Sequence, residues 1–317
     1  MLEAIILLLI GFAILIKASD IFVDAISSIA AHFKMSKMLI ALTVAAFGTC
    51  APELAISFNS IMSRQGDIAL SNVLGSNVVN ILLIIGIAAC VSPIKVKGAT
   101  VKKELPIILL ITSIFSLSIV THYIDTSNML ILSRIDGLLF IVFFAVFLFY
   151  IISVVKIKEG FLEKNNPKYK MKTSIVLSII CCILIIFASD LVVDNAKTIA
   201  QLFNVSTKII TMTVVVIGTS LPELTMTVIS AKKGEYDIAI GNIIGTNIFN
   251  IGIVLGLPLL IFGGFQSASF NLIDVFVVHI AVTLLYFFAK NDKVLSRKEG
   301  IIMISTFILY YAYLLIF

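Results

Sequence analysis

Charged residues are scarce in this chain. Asp, Glu, Lys and Arg make up 13% of its 317 residues, about half the share of a typical soluble domain. Hydrophobic residues make up 60%, and the mean hydropathy is +1.14. So few charges could not cover the surface of a water-soluble fold, which excludes a soluble enzyme, a disordered chain and a disulfide-rich secreted module. The class that remains is a polytopic helical membrane protein.

Cysteine and histidine are also few, and their positions do not suggest a metal centre. The three histidines are dispersed, and the four cysteines lie in apolar runs without metal-site spacing. The segments 6–16 and 138–152 lack the alternation of apolar and polar residues that an outer-membrane barrel needs. Glu3 lies where a secretory signal peptide would carry a basic residue, so the first segment is predicted to be a mature transmembrane helix.

Long apolar runs, separated by short polar breaks, cover the chain. A helix that crosses a bilayer needs about 20 mostly apolar residues. On that criterion the sequence predicts an all-α membrane protein with ten transmembrane helices. Their approximate limits are 2–29, 38–62, 68–91, 105–122, 129–154, 173–199, 208–231, 238–262, 270–289 and 300–317.

The two halves of the chain repeat each other at an offset of 170 residues. Between Ile16 and Ile81, 27 of 66 positions are identical to their counterparts, and the identities include Gly, Pro, Asn, Asp and Glu. This repeat predicts two five-helix units, 1–154 and 173–317, joined by a linker over 155–172. Since five is odd, the second unit is expected to be inverted across the membrane, the usual architecture of alternating-access transporters.

The basic residues indicate the orientation of the chain. If the N-terminus is outside the cell, 18 of the 23 Lys and Arg residues fall in loops on the inside. The positive-inside rule therefore predicts a protein of the cell (inner) membrane with both termini outside and the linker in the cytoplasm. Because the lysines are scattered without interleaved aromatic residues, the expected surroundings are the lipid bilayer and no nucleic acid.

Two carboxylates, Glu53 and Glu223, lie at matching places inside apolar spans. An ionisable residue near the bilayer centre is energetically costly and is by default a candidate for function. Each glutamate follows a proline that comes shortly after a Gly-Thr pair, and glycine and proline interrupt helices. The interruption is expected to free backbone carbonyls, such as those of Ala46 and Val216, to face a cavity.

Hydroxyl and amide side chains accompany both carboxylates. Hard oxygen ligands of this kind suit Ca²⁺ or Na⁺ and argue against Zn²⁺, Cu⁺ and iron. The charge of two carboxylates balances one Ca²⁺, and the same pair could instead hold several Na⁺ ions or protons. Two carboxylates without a cation would be unfavourable in a low dielectric. A carrier without a bound ion should therefore resist switching sides. The predicted oxygen donors are Thr49, Thr219 and Ser220, together with two pairs that each share a helix face, Ser76 with Asn80 and Thr246 with Asn250.

The doubled pattern Gly-Thr-(Ser/Cys)-x-Pro-Glu, followed by Gly-(Ser/Thr)-Asn-x-x-Asn, resembles the α1 and α2 repeats of the sodium/calcium exchangers, in the cation/Ca²⁺ antiporter superfamily. The resemblance is most specific over 39–90 and 209–260 and extends over the chain in span count and inversion. It implies ion ligands at the acidic positions Glu53 and Glu223, the hydroxyl positions Thr49, Ser76, Thr219, Ser220 and Thr246, the carbonyl positions Ala46 and Val216, and the amide positions Asn80 and Asn250.

Two positions depart from the pattern of that family. Cys50 replaces the usual Ser, and it is either an ordinary small residue or a weakened ligand, since a thiol binds Na⁺ poorly. Asn250 lies where K⁺-dependent exchangers carry Asp, so the resemblance favours the K⁺-independent branch. The Gly-Asn-x-x-Glu pattern of the Ca²⁺/H⁺ branch is absent, which favours Na⁺ as the counter-ion.

The predicted function is therefore a non-enzymatic antiporter that exchanges Ca²⁺ for Na⁺ by alternating access. It needs no cofactor beyond the transported ions and no obligate protein partner. A Ca²⁺/H⁺ antiporter is the alternative within the superfamily. A Ca²⁺-permeable channel is disfavoured because no filter motif is visible, and a polytopic membrane enzyme is disfavoured because no nucleophile with a base is visible.

Other repeated polar residues are predicted to have structural roles. Asn77 and Asn247 lie one residue off the ligand face, and Asp67 and Asp237 are predicted to cap the third and eighth spans. Four repeated aspartates near Lys17 and Lys197 are predicted to form interfacial ion pairs or helix caps rather than to bind ions; they are Asp20, Asp24, Asp190 and Asp194.

Overall fold

The computed structural model describes residues 1–125, 130–157, 167–203, 216–267 and 272–316. In these ranges the chain is almost entirely helical. The helices are α1 (Leu2–His32), α2 (Lys37–Thr49), α3 (Ala51–Met62), α4 (Gly66–Val91), α5 (Gly98–Lys102), α6 (Glu104–Asp125), α7 (Arg134–Ile157), α8 (Met171–Leu202), α9 (Val216–Thr219), α10 (Leu221–Lys232), α11 (Tyr236–Phe262), α12 (Leu272–Asp292) and α13 (Arg297–Ile316). The short strands are β1 (Ile94–Lys95), β2 (Leu130–Leu132), β3 (Phe265–Ser267) and β4 (Val294–Leu295).

The predicted all-helical membrane protein is confirmed, but the predicted count of ten spans is not. Seven described helices are long and apolar enough to cross a membrane, or eight if the bent pair α2 and α3 forms one span. Part of the predicted seventh span, 208–215, lies outside the described residues. The predicted tenth span corresponds to α13, a helix of 20 residues that is not among the seven.

The two longest helices lie at the periphery. α1 has 31 residues and α8 has 32, and they pack along each other. Gly11 permits the contact, because a Cβ at that position would lie 2.7 Å from the Val192 side chain. Most of the apolar stretch of each helix is exposed, whereas the corresponding stretches of α4 and α11 are largely buried. The core of the molecule is therefore built around α4 and α11.

Both central helices contain a π-helical segment at the same place. Residues Val79–Ile85 of α4 and Asn250–Leu255 of α11 are wound with the wider π spacing. Such segments are rare and are frequent at functional sites, because the wider turn displaces side chains from regular helical register. Asn80 lies in the first segment and Asn250 begins the second, so the irregular turns coincide with predicted ligands.

The Pro-containing spans are broken as the sequence predicts. α2 and α3 meet at Cys50 with a bend of 51°. Pro52 occupies the first turn of α3, and Pro222 occupies the first turn of α10 after the junction at Ser220. Proline is tolerated there because its missing N–H is not needed in the first turn of a helix.

Two small antiparallel ladders connect the halves of the chain. Ile94 of β1 pairs with Leu295 of β4, and Leu130 of β2 pairs with Ser267 of β3. Strand β1, which follows α4, thus pairs with β4, which precedes α13. Strand β3, which follows α11, pairs with β2, which precedes α7. This exchange of partners is reciprocal, as expected for two copies of one unit.

The ion pairs of α1 differ from those predicted. Lys233, at the end of α10, contacts the carboxylates of Asp20 at 2.9 Å and Asp24 at 2.7 Å. Lys168 contacts Asp24 at 2.5 Å, and this carboxylate raises the pKa of the Lys168 ammonium above its ordinary value. Asp20 and Asp24 thus form ion pairs as predicted, but tertiary packing supplies the partners from other segments in place of the nearby Lys17.

Other polar predictions have mixed outcomes. The predicted pair between Lys197 and Asp194 is present at 3.3 Å. Asp67 and Asp237 lie in the first turns of α4 and α11 but are not the capping residues. Asp237 instead forms an ion pair with Lys97 at 2.7 Å. A carboxylate in the first turn still interacts favourably with the helix dipole.

Candidate ion-binding site

Glu53 and Glu223 occupy equivalent buried positions in the two halves. Each lies in the first turn of the helix that follows the break, and their side chains are 1% and 0% exposed. The N-terminal end of a helix favours a negative charge because its N–H dipoles point toward it. The two carboxylates are close enough to interact electrostatically. Two like charges in a buried site are unfavourable without a cation.

The site lies between the two repeats. α3, which carries Glu53, packs against the π-helical segment of α11, and α10, which carries Glu223, packs against that of α4. Gly245 of α11 permits a further close approach, since a Cβ there would lie 2.7 Å from the carbonyl oxygen of Leu42. Each broken helix is thus held by the central helix of the other half. Transporters with inverted repeats bind their substrates at this kind of interface.

Four buried asparagines form a reciprocal network across the repeat interface. Asn80 donates from Nδ2 to Oδ1 of Asn247 at 3.0 Å, and Asn250 donates to Oδ1 of Asn77 at 3.1 Å. Asn77 and Asn247 also donate to each other's backbone carbonyls, at 3.5 Å and 3.4 Å. These bonds fix the amide groups of Asn80 and Asn250 and leave their Oδ1 atoms without a hydrogen bond.

Several other oxygens near this network are buried and lack a hydrogen bond of good geometry. A buried acceptor left unsatisfied costs about 1–3 kcal/mol, so a group of such acceptors calls for an explanation. A cation would satisfy these atoms, all of which belong to residues predicted as ligands. They are Glu53 Oε2, Ser76 Oγ, Asn80 Oδ1, Ser220 Oγ, Glu223 Oε1 and Oε2, Thr246 Oγ1 and Asn250 Oδ1.

The helix break is expected to free the carbonyl of Ala46, but the structure shows that carbonyl hydrogen-bonded. The carbonyl of Ala46 accepts the amide of Cys50 at 3.1 Å and the hydroxyl of Thr49 at 3.4 Å, so the helix break does not free it. Pro52 instead deprives Gly48 of its helical donor, since an α-helical carbonyl bonds to the amide four residues later. Because the oxygen has a second lone pair, the ligand role of Ala46 stays a prediction.

In each of the two helix breaks, the carbonyl that loses its helical donor to the proline accepts a hydrogen bond from a side chain. The thiol of Cys182 donates to the carbonyl of Gly48 at 3.4 Å, and the hydroxyl of Ser189 donates to that of Gly218 at 3.0 Å. Both donors lie on α8, which therefore contacts the break in each half. Val216 begins α9, and its ligand role, like that of Thr219, stays a prediction.

Cys50 lies inside the candidate site. Its side chain is fully buried, and it interacts electrostatically with Glu53 and Glu223. Thr49 and Thr246 are also within interaction range of its sulfur. Cys50 therefore lies near four of the predicted ligands rather than in a remote part of the core.

Asn77 and Asn247 are functional candidates that sequence reasoning assigned to a structural role. They do not lie on the ligand face of their helices, but each orients a residue that does. The available signal was their strict repetition at the same offset as Asn80 and Asn250. No group of three or more His, Cys, Asp or Glu side chains placed to hold a metal occurs in the described residues.

Comparison with known proteins agrees with the resemblance seen in the sequence. The chain matches the protein family described as "Sodium/calcium exchanger protein" over residues 3–153 and 173–316. It is 37% identical to the putative antiporter CaxA of Alkalimonas amylolytica, with 98% of each chain covered. It is 30% identical to the sodium/calcium exchanger MaX1 of Methanosarcina acetivorans, with 95% of each chain covered.

The fold is similar to that of a solved exchanger. A structure of the sodium-calcium exchanger NCX_Mj, soaked with 10 mM Na⁺ and zero Ca²⁺, aligns with a TM-score of 0.82 at 33% sequence identity. The alignment covers 98% of each chain. The similarity therefore includes both halves of the chain.

Proposed function

The chain belongs to the sodium/calcium exchanger family of membrane antiporters, and from that premise we propose that it exchanges Ca²⁺ for Na⁺ across the cell membrane without K⁺. The observation that supports this most directly is the set of buried, unsatisfied oxygens on Glu53, Glu223 and the other predicted ligands. Carboxylate, hydroxyl and amide oxygens at one buried place are the donor set of a hard cation.

The charge of the site supports the choice of ions. Glu53 and Glu223 together neutralise one Ca²⁺, and the same two charges neutralise two Na⁺ while hydroxyls and amides hold further ions. A K⁺ bound together with Ca²⁺ would call for another negative charge, but the residue at position 250 is a neutral asparagine whose Nδ2 is used by Asn77. The site therefore favours exchange without K⁺.

The proposed architecture is the one expected from the repeat. It comprises ten spans in two inverted units, 1–154 and 173–317, with the linker 155–172 in the cytoplasm and both termini outside. By resemblance to the family, the two long helices α1 and α8 are the pair proposed to slide past the core. Alternating access exposes the glutamates first to one side and then to the other.

A flux experiment tests the proposal. The protein is reconstituted in liposomes loaded with Na⁺, with K⁺, or with an imposed pH gradient, and uptake of ⁴⁵Ca²⁺ is measured. We expect uptake from Na⁺-loaded liposomes that is unchanged when K⁺ is omitted. Uptake that is indifferent to Na⁺ and follows the pH gradient would contradict Na⁺ coupling.

The glutamates provide the test of the site itself. Glu53→Gln and Glu223→Gln keep the side-chain shape but remove one negative charge, so each is expected to abolish exchange. Full exchange by either variant would contradict the site model. Ca²⁺ flux without any counter-ion would indicate a channel.

Ca²⁺/H⁺ exchange is the second candidate, and Cys50 is the observation that favours it. A thiol at a position surrounded by Glu53, Glu223, Thr49 and Thr246 offers a poorer ligand to Na⁺ than a hydroxyl would. Two buried carboxylates can also carry protons. The pH-gradient arm of the flux experiment distinguishes this candidate from Na⁺ exchange.

A further inference from the structure

We propose that a basic cavity between α1 and α10 binds the headgroup of an anionic phospholipid. The cavity has a volume of about 560 Å³. Its polar lining consists of Lys17, Lys232, Lys233 and Asp20, and its apolar lining includes Ile16 and Ile229. None of its lining residues is among the predicted ion ligands.

The cavity has positive charge that no described residue neutralises. Lys233 is paired with Asp20 and Asp24, so those carboxylates are already engaged. Lys17 and Lys232 are exposed, and neither forms an ion pair with any residue in the described part of the chain. Two unpaired ammonium groups beside one cavity therefore attract an anion.

Lys17 has surroundings that favour a lipid as the source of that anion. It lies in the apolar helix α1, directly after Ile16, whose side chain is 54% exposed. A lysine on a lipid-facing surface extends its ammonium toward the headgroup region, while its methylene groups stay against apolar neighbours. A phosphate from water would meet the same charges, but only a lipid would also cover Ile16 and Ile229.

The internal repeat supplies a natural comparison. At the offset of 170 residues, the counterparts of Lys17, Lys232 and Lys233 are Phe187, Met62 and Ser63. The aspartate is retained, since Asp190 corresponds to Asp20. All three lysines are therefore present in one copy only. A packing role common to both copies would require them in both, so it does not explain their presence.

The orientation proposed above places this cavity in the cytoplasmic leaflet. Basic pockets between helices on that side bind anionic lipid headgroups. The binding experiment does not depend on the orientation or on the exchange reaction, because both leaflets of the test bilayer have the same composition.

The absence of tryptophan from the chain permits a direct test. Phe12→Trp places a single fluorophore on the exposed face of α1, just over one turn from Lys17. The variant is reconstituted in nanodiscs that contain brominated phosphatidylglycerol or brominated phosphatidylcholine at equal mole fraction, and quenching is compared. Since each lysine favours an anionic lipid by about fivefold, two unpaired lysines predict an enrichment of phosphatidylglycerol on the order of 30-fold.

Two controls accompany the reporter. Ile183→Trp places the fluorophore on the exposed face of α8, at the counterpart of Ala13 in the copy without lysines, and is expected to show no lipid preference. Lys17→Gln with Lys232→Gln should abolish the preference seen by the α1 reporter, whereas Lys102→Gln with Lys103→Gln removes the same charge elsewhere and should preserve it. Thermal unfolding verifies that each variant is folded.

The outcomes are decisive in either direction. Preferential quenching by phosphatidylglycerol that depends on Lys17 and Lys232 supports the site. Equal quenching by both lipids, or equal loss in the two double variants, overturns it. Displacement of the lipid preference by inorganic phosphate also overturns it, because the cavity would then be a general anion site.

Discussion

Asn80 donates a hydrogen bond to Asn247 at 3.0 Å, although the two residues belong to different repeats. The mirror bond from Asn250 to Asn77 has nearly the same length, 3.1 Å. The side-chain oxygens of Asn80 and Asn250 are thereby turned away from the network and left for an ion. The orientation of a predicted ligand in each half is thus set by a residue of the other half.

Asn247→Ala should weaken Ca²⁺ binding even though Asn247 is not itself a predicted ligand. The substitution removes the acceptor that orients Asn80, so we expect a loss of affinity of roughly tenfold, equivalent to about 1.4 kcal/mol. Calcium-dependent thermal stabilisation of the purified protein measures the affinity.

Asn195→Ala is the matched control for that experiment. Asn195 is also a buried asparagine, but it donates to the carbonyl of Leu191 within its own helix at 2.7 Å. We expect a loss of stability with unchanged Ca²⁺ affinity. If the two variants have the same affinity, the positioning role of Asn247 is wrong.

Cys50→Ser should improve Na⁺ binding. Serine replaces a poor Na⁺ ligand with a hydroxyl at a position that interacts electrostatically with both glutamates. We expect the Na⁺ concentration for half-maximal Ca²⁺ exchange to fall a few-fold. The reverse change in the other repeat, Ser220→Cys, is expected to raise it. No change in either variant would show that this pair of positions does not bind Na⁺.

Gly245→Ala should destabilise the contact between α2 and α11. The added methyl group would lie 2.7 Å from the backbone oxygen of Leu42, which has no rotamer to adopt. Overpacking of this kind costs about 1–3 kcal/mol, measurable as a lower unfolding temperature. The control is Gly98→Ala, whose methyl group would meet only the Lys293 side chain at 3.8 Å. Equal stability of the two variants would contradict the prediction.

Lys233→Gln should loosen the end of α1. Lys233 is the residue that joins Asp20 and Asp24 to the end of α10. Loss of both half-buried pairs is expected to accelerate amide hydrogen exchange across residues 20–32 by roughly tenfold. In detergent without anionic lipid, Lys232→Gln should leave that exchange unchanged, because Lys232 has no ion pair with a described residue. Equal rates in both variants would show that the pairs do not restrain α1.

The sequence is informative where polar residues interrupt apolar surroundings. Glu53 and Glu223 are conspicuous because a carboxylate is costly in an apolar span, and the prolines before them predict the observed breaks. The repeat adds Ser76, Thr246, Asn80 and Asn250, all of which the structure leaves with an unsatisfied buried oxygen.

Features that depend on tertiary contacts could not be predicted in this way. The π-helical segments at Asn80 and Asn250 arise from how the central helices pack, and no local residue signals them. Spacing along one helix suggested Lys17 as the partner of Asp20, but Lys233 from a distant helix takes that role. The carbonyl of Ala46 is expected to be freed by the helix break, but it accepts the amide of Cys50. The carbonyl that loses its helical donor, because of Pro52, is that of Gly48.

The two ladders also govern how the chain can be assembled. Strand β1 lies in the first half of the chain, but its partner β4 follows the ninth predicted span. At a synthesis rate of about 5–20 residues per second, β1 waits roughly 10–40 s before β4 leaves the ribosome. The first half of the nascent chain therefore enters the membrane with strand β1 unpaired. It stays incomplete until the second half is synthesised and β4 pairs with β1.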